Sequence, residues 1–189
     1  MELRRAIAER RAYRSLEPVT ITEEMIREIV DDVRLAPSCF NNQPWRFVFV
    51  HGGPALAAMK AALSKGNAWA QAASMIVAVA SRRDFDCLLP KAAPEREYYL
   101  FDTGMATALL LLRLTEMGLV AHPIAGYDEK AAREAAGVPA DMTIITLVIV
   151  GKKSPTVFET LSDSQKVSEM TRPDRKAFAE VASIDRYTP

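Results

Sequence analysis

The sequence predicts an α+β domain in which a central mixed β-sheet is surrounded by helices. Two apolar runs rich in β-branched residues, 74–80 and 143–151, have the length and composition of interior strands. An amphipathic pattern over 22–35 and a longer apolar pattern over 101–117 are typical of helices. Along the chain the elements follow in the order helix, helix, strand, helix, strand, helix, strand, helix, strand, which indicates mixed α and β structure.

Length and composition are typical of a single domain with a hydrophobic core. The chain has 189 residues, of which 49% are hydrophobic and 25% charged. Basic and acidic residues number 24 each, and a formal charge of zero argues against a nucleic acid or a membrane surface as a partner. No signal-peptide core and no membrane-spanning run is visible, so we expect a cytoplasmic protein. Cys39 and Cys87 are expected to form neither a disulfide framework nor a metal site.

The amino-terminal pattern, 2–14, predicts a helix that runs into a loop. One helical face would carry Leu3, Ile7, Arg10 and Arg14. If the helix persists, Arg10 and Arg14 point inward and need an anionic or hydrogen-bonding partner, because an unpaired buried charge is costly. The alternative is a helix that ends near Arg10 and leaves the later arginines in solvent.

Several helix ends can be read from the sequence. Thr22 and Asp128 are predicted N-caps, and a third helix is expected over 54–63. The 101–117 helix is apolar on every side, so it is expected to be buried all round and to need a partner surface. A strand and turn are predicted over 120–127.

The loop 36–47 is the most informative stretch of the chain. It reads A-P-S-C-F-N-N-Q-P-W-R-F and joins a predicted helix to a predicted strand. Two prolines make it stiff, and its serine, asparagines and glutamine offer many hydrogen-bonding groups. Such a loop either holds a ligand or is a well-made turn in front of a buried tryptophan, and its chemistry alone leaves both open.

This loop resembles the signature loop of the nitroreductase family of flavin enzymes, and we call it the signature loop. The resemblance implies a nitroreductase-like fold for 1–189, with 152–189 as a carboxy-terminal extension that packs on a dimer partner. Other segments that resemble the family, with the letters of this chain, are 10–16 (R-R-A-Y-R-S-L), 66–70 (G-N-A-W-A), 102–109 (D-T-G-M-A-T-A-L), 123–126 (P-I-A-G) and 172–178 (R-P-D-R-K-A-F).

The resemblance also implies an FMN site without a metal. Arginines of 10–14 would meet the flavin phosphate, ribityl chain and pyrimidine oxygens, and Arg175, or else Arg172, would reach the phosphate. Backbone N–H groups of 123–126 would face flavin N5 and O4, with Ala125 near N5, and no side chain need be catalytic. The implied cofactor-binding residues are Arg10, Arg11, Ala12, Arg14, Pro37, Ser38, Cys39, Asn41, Gln43, Asn67, Pro123, Ile124, Ala125, Gly126, Arg172 and Arg175.

The chain departs from the family pattern at three positions. Ala12 replaces a serine, Leu109 an asparagine and Ala125 a glutamate of many relatives, so one hydroxyl contact, one polar contact and one side-chain role are lost. Asn67 is open to a second interpretation as a local cap. His122 is expected to be structural rather than a catalytic acid.

The function implied by the resemblance is transfer of electrons from NAD(P)H to a nitroaromatic, quinone or similar small acceptor by a ping-pong mechanism. Two alternatives stay open. One is a different flavin reaction on the same fold, such as reductive dehalogenation, enone reduction or flavin breakdown, and the other is a non-catalytic flavin-binding or sensing protein. A homodimer is implied, in which many relatives take the signature loop and the arginines from one subunit and the 123–126 turn from the other. The segment 82–99 is expected either to form an open cover over the substrate side or to be a plain connection.

Overall fold

A computed structural model describes residues 2–87 and 96–187. Helices and strands alternate in the predicted order, with a very short extra strand and two helices in the carboxy-terminal part. The helices are α1 (Leu3–Glu9), α2 (Glu23–Val33), α3 (Gly53–Ala61), α4 (Tyr98–Glu116), α5 (Glu129–Ala136), α6 (Asp163–Met170) and α7 (Phe178–Val181). The strands are β1 (Leu16–Glu17), β2 (Arg46–Val50), β3 (Met75–Ser81), β4 (Val120–Ile124) and β5 (Thr143–Lys153).

The five strands form one sheet around the long strand β5. β3 and β4 both pair with β5, β2 pairs with β3, and β1 extends the sheet beside the last residues of β5. Every pairing among the described strands is antiparallel, so the predicted α+β class is confirmed while the expected mixed sheet is corrected to an antiparallel one. The sequence could not show this, because β3 and β5 are buried on both faces and therefore look like parallel strands.

Two apolar cores lie on the two faces of the sheet. Alternate residues of β3 point to opposite faces, so Ile76 packs with α3, α5 and Trp69, whereas Val77 packs with α2 and α4. All seven residues of β3 are buried. We call these the α3/α5 face and the α2/α4 face.

The helix caps follow the sequence prediction. Thr22 accepts a hydrogen bond from the Met25 N–H at the start of α2, and Asp128 accepts one from the Ala131 N–H at the start of α5. In the described ranges, none of the helices combines the length and apolarity needed to span a bilayer.

α4 is not buried all round in this chain. Asp102, Leu110 and Leu114 face the core, but an apolar stripe on the opposite side is open. The Phe101 side chain is 61% exposed and that of Leu109 is 36% exposed. On α1, Leu3 and Ile7 are also exposed and only Ala6 is buried, the reverse of the predicted inward stripe. The stripe on α4 consists of Phe101, Gly104, Ala108 and Leu109.

The extension after β5 folds back on its own chain as far as residue 172. Ser154 donates its N–H to the Ser15 carbonyl, and Phe158 donates its N–H to the Ser15 hydroxyl. Leu161 is buried in the core of the α3/α5 face. Val167 and Met170 on α6 are exposed, and from Phe178 onward the apolar side chains are also largely exposed. Packing of this extension on a dimer partner stays a prediction.

Candidate functional site

The arginines that follow α1 lie in a short segment without regular structure. α1 ends at Glu9 with Arg10 as its C-cap, so the helix stops where the alternative interpretation placed its end. The arginines are nevertheless half-buried rather than solvated. Arg11 donates to the carbonyls of Ser168 and Glu169, at 2.8 and 3.2 Å, and therefore holds the carboxy-terminal segment.

His122 fastens this arginine segment to β4. Its Nδ1 lies 3.0 Å from the Tyr13 carbonyl, and its ring stacks on Trp69 with centroids 4.6 Å apart. The guanidinium carbon of Arg14 lies 6.0 Å from the Trp69 ring centre. Burial lowers the pKa of His122 to about 4, so the imidazole is neutral at physiological pH and its Nδ1 donates to Tyr13. The expected structural role of His122 agrees with this geometry.

Two arginines from the carboxy-terminal segment join the group. Arg172 donates to the carbonyls of Ala8 and Arg10, and Arg175 donates to the Pro173 carbonyl at 3.0 Å. Burial and the positive charges of Arg172 and Arg175 lower the pKa of Arg10. No carboxylate of the described residues lies within ion-pair distance of Arg10. We use the name arginine cluster for Arg10, Arg14, Trp69, His122, Arg172 and Arg175.

The turn after β4 borders this cluster. Pro123 and Ala125 are exposed and Ile124 is buried, so the backbone of the turn is presented at the surface. Asn67 donates its Nδ2 to the Gly126 carbonyl at 2.8 Å, which braces the turn. A Cβ on Gly126 would lie 2.6 Å from the Ser64 hydroxyl and 2.7 Å from Asn67 Nδ2, so a side chain here would displace the groups that brace the turn.

The signature loop has an unusual backbone. Phe40, Asn41 and Gln43 have φ angles of 49°, 57° and 48°, in the left-handed region that side chains other than glycine rarely adopt. Gln43 donates its N–H to the Ser38 hydroxyl at 2.9 Å, and its side-chain amide contacts Asn41. Pro37, Asn41 and Gln43 are exposed. A strained, well-braced and exposed loop is typical of a binding site.

A disulfide anchors the signature loop, contrary to the expectation from sequence. Cys39 is bonded to Cys87, with Cα atoms 5.7 Å apart. The pairing of Arg46 with Ala80 brings the loop before β2 next to the segment after β3, which joins residues far apart in sequence. The Cys39 N–H also donates to the buried carboxylate of Asp102 on α4, at 2.9 Å.

The arginine cluster and the signature loop lie on opposite faces of the sheet. Trp69 belongs to the core of the α3/α5 face, whereas Ala36 and Trp45, at the two ends of the loop, belong to that of the α2/α4 face. Between His122 on β4 and Arg46 on β2 lie β5 and β3, which separates the two outer strands by about 14 Å across the sheet. Within the described chain, no hydrogen bond or ion pair joins the two groups.

Within the described chain, the arginines of 10–14 and the 123–126 turn lie together, and the signature loop stands apart from both. The division of the flavin contacts between subunits stays a prediction. Sequence reasoning also missed Asp102 and Glu169, each of which is a buried carboxylate that accepts backbone N–H groups of a site segment. Asp102 could have been found from sequence, because it is an acidic residue near the start of an apolar helix. Glu169 lies in the polar tail, where no sequence feature distinguishes it. Of the expected cover over 82–99, residues 88–95 lie outside the described residues.

The comparisons with known proteins agree on one family. The family model described as Nitroreductase family matches residues 7–152. A protein of Archaeoglobus fulgidus with the provisional name NADH dehydrogenase/NAD(P)H nitroreductase is 28% identical over 155 residues, which cover 79% of this chain and 84% of that protein. A protein of Xanthomonas oryzae with the same provisional name is 33% identical over 136 residues, 63% of this chain and 69% of its own. A solved structure described as an oxidoreductase containing FMN is 27% identical, covers 97% of this chain and 91% of its own, and has a TM-score of 0.81.

Proposed function

Because this chain belongs to the nitroreductase family, we propose that it is an FMN-dependent oxidoreductase. It passes electrons from NAD(P)H to a small acceptor such as a nitroaromatic or a quinone. The provisional names of the relatives support NAD(P)H as the electron donor, and the name of the similar solved structure supports FMN.

The observation that carries the proposal is the arginine cluster beside the β4 turn. Arg10, Arg172 and Arg175 are close enough for the latter two to lower the pKa of Arg10. Mutually repelling guanidinium groups that have no ion-pair partner among the described residues are suited to an anion, and the planar guanidinium fits a phosphate with two parallel hydrogen bonds. The indole N–H of Trp69 is also buried, and none of the described residues accepts a hydrogen bond from it, which leaves a donor beside Arg14.

The β4 turn would hold the redox-active end of the cofactor. Bound FMN supplies the hydride and electron chemistry, and the protein supplies position and polarisation. The backbone at Ala125 is exposed and fixed by the Asn67 and Gly126 contact, so its amide can serve as a preorganised donor. His122 is neutral at physiological pH and bonded to Tyr13, so it orients the arginine segment and supplies no proton.

The same geometry supports a homodimer that shares its two sites. The signature loop and the arginine cluster are on opposite faces of one protomer, so a flavin that contacts both takes them from different subunits. The open stripe on α4, from Phe101 to Leu109, offers an apolar surface for that partner, together with Leu3 and Ile7 on α1. We therefore infer that each site combines the arginine cluster and β4 turn of one subunit with the signature loop of the other. An obligate interface of this kind typically buries more than about 2,000 Å².

Two measurements test the proposal together: the identity of the released cofactor and the oxidation of NAD(P)H. The purified protein is denatured and the supernatant chromatographed, and the expected product is FMN. The flavin-loaded protein should then oxidise NADH or NADPH when a quinone or nitroaromatic is present. FAD in the supernatant, or no flavin uptake on reconstitution, would contradict the cofactor. Flavin binding without NAD(P)H oxidation would instead favour a binding or sensing protein.

A further inference from the structure

We propose that Glu169 on α6 is a positioning residue that sets the arginine segment for an anionic ligand. The inference rests on the proposed function, because it names how one half of the FMN site is held. It concerns a part of the chain that follows residue 152, where the family match ends.

The Glu169 carboxylate binds the backbone of the arginine segment. It accepts the Arg14 N–H at 2.5 Å through one oxygen and the Ser15 N–H at 3.2 Å through the other. The Glu169 side chain is buried, with the whole residue 6% exposed. Among the described residues, no helix or strand accepts these N–H groups, so the carboxylate supplies the hydrogen bonds that secondary structure would otherwise give.

The carboxylate does not neutralise the arginines around it. In the described ranges, no ion pair joins Glu169 to a guanidinium group. A carboxylate accepts several hydrogen bonds, and the two backbone N–H groups here take one on each oxygen. The side chains of Arg10 and Arg14 therefore remain available, although a buried acid lies beside them.

Two further contacts join α6 and its end to the same segment. Arg11 donates to the carbonyls of Ser168 and Glu169 at the carboxy-terminal end of α6, where the helix dipole favours a cation. Arg172 donates to the carbonyls of Ala8 and Arg10. The arginine segment is thus held at three places by residues 168–172, and Glu169 provides the only buried charge among these contacts.

Two roles of Glu169 predict opposite effects on phosphate binding. If the carboxylate acted only through its charge, its removal would make the cluster more positive and strengthen the binding of an anion. If it positions the segment, its removal frees Arg14 and Ser15 and weakens the binding, despite the more favourable charge. The sign of the change therefore separates the two.

The test compares FMN with riboflavin, which lacks the phosphate, by titration of flavin fluorescence. For Glu169→Gln we expect a loss of FMN affinity of about tenfold or more and a much smaller change for riboflavin. Glu169→Asp keeps the charge but shortens the side chain by one methylene, and it should also weaken the binding of FMN. The matched control is Glu159→Gln, which removes an exposed acid of the same extension and should leave both affinities unchanged.

Hydrogen exchange of the peptide that contains residues 10–15 gives a second measurement, independent of flavin. Exchange in this peptide should be faster in Glu169→Gln and Glu169→Asp than in the wild type, and unchanged in Glu159→Gln. Stronger FMN binding by Glu169→Gln, or equal losses for FMN and riboflavin, would overturn the inference while leaving the proposed function intact. A wild type that binds neither flavin would overturn the proposed function, and unchanged exchange in both variants would overturn the positioning role by itself.

Discussion

His122 shows how one buried residue connects two parts of the site. It precedes Pro123 in β4, stacks on Trp69 and donates to the Tyr13 carbonyl. The sequence alone favoured a structural histidine, but not its partner, because Tyr13 is more than a hundred residues away. A residue of this kind holds two segments of the candidate site together.

The lowered pKa of His122 predicts a loss of stability in acid. Its pKa falls from 6.5 to about 4 on folding, so the unfolded chain binds the proton more readily. Between pH 6.5 and pH 4 the free energy of unfolding should therefore decrease, by about 3 kcal/mol from this residue. Urea denaturation across this range measures the decrease. His122→Asn keeps a donor towards Tyr13 and does not titrate, so its curve should be flatter, and a curve parallel to that of the wild type would refute this assignment.

Substitution of Arg10 tests the proposed role of this residue in binding the flavin phosphate. A charge-assisted hydrogen bond contributes about 1.5–3 kcal/mol, so Arg10→Ala should weaken FMN binding roughly tenfold to hundredfold. Riboflavin affinity and the melting temperature should change little, because Arg10 has no carboxylate partner among the described residues. Normal FMN binding by this variant, or a large loss of thermal stability without loss of flavin, would instead assign Arg10 a structural role.

The sequence allowed candidate site residues to be chosen, but it did not predict how they are placed. Arg10 and Arg14 could be picked out because arginines in line with an apolar stripe need a partner. Their orientation could not be predicted, since it depends on α1 ending at Glu9 and on contacts from Glu169 and Arg172, far away in the chain.

Among the elements, the signature loop is the most constrained segment. Left-handed φ angles at Phe40, Asn41 and Gln43 cost conformational energy, which the Ser38 contact, the Asp102 contact and the disulfide offset. Its composition indicated a stiff loop rich in hydrogen-bonding groups, but it left a ligand site and a plain turn both open. The disulfide could not be predicted, because two cysteines 48 residues apart give no spacing pattern and meet only after β2 pairs with β3.

The Cys39–Cys87 bond predicts a stability that depends on reductant. Closing a loop of this length stabilises a protein by up to about 4 kcal/mol through the entropy of the unfolded chain. Unfolding in urea should therefore occur at lower denaturant concentration when a thiol reductant is present. The variant with both Cys39→Ser and Cys87→Ser should be insensitive to reductant. Two titratable thiols in the denatured, unreduced protein would show that the bond is absent.

For the helices, position and caps could be predicted from the sequence, but burial could not. The positions and caps of α2 and α5 could be predicted from local patterns alone, since Thr22 and Asp128 act within one helical turn. The burial of α4 could not, because a helix that is apolar on all sides can be covered either by its own chain or by a partner. Its open face in this chain carries Phe101 and Leu109, which favours the partner.

In the molecule as a whole, the sheet separates the two parts of the proposed site. The arginine cluster and the β4 turn lie on the α3/α5 face, and the signature loop is attached to α4 on the other face. The fold class could be predicted from the order of the elements. The division of the site could not, because it follows from strand order and from the face to which each side chain points.

The two parts of the proposed site are expected to meet across a dimer, and mixed dimers test this arrangement. Arg10→Ala is the first variant, and the second is Asn41→Gly, which suits the left-handed φ of 57° and deletes the amide. Each homodimer should be empty at an FMN concentration that fills the wild type. Mixed dimers, isolated through two different affinity tags, should then hold one FMN per dimer, because one of their sites takes both intact halves. Mixed dimers as empty as the two parents would show that each site is built within one subunit and would contradict the account.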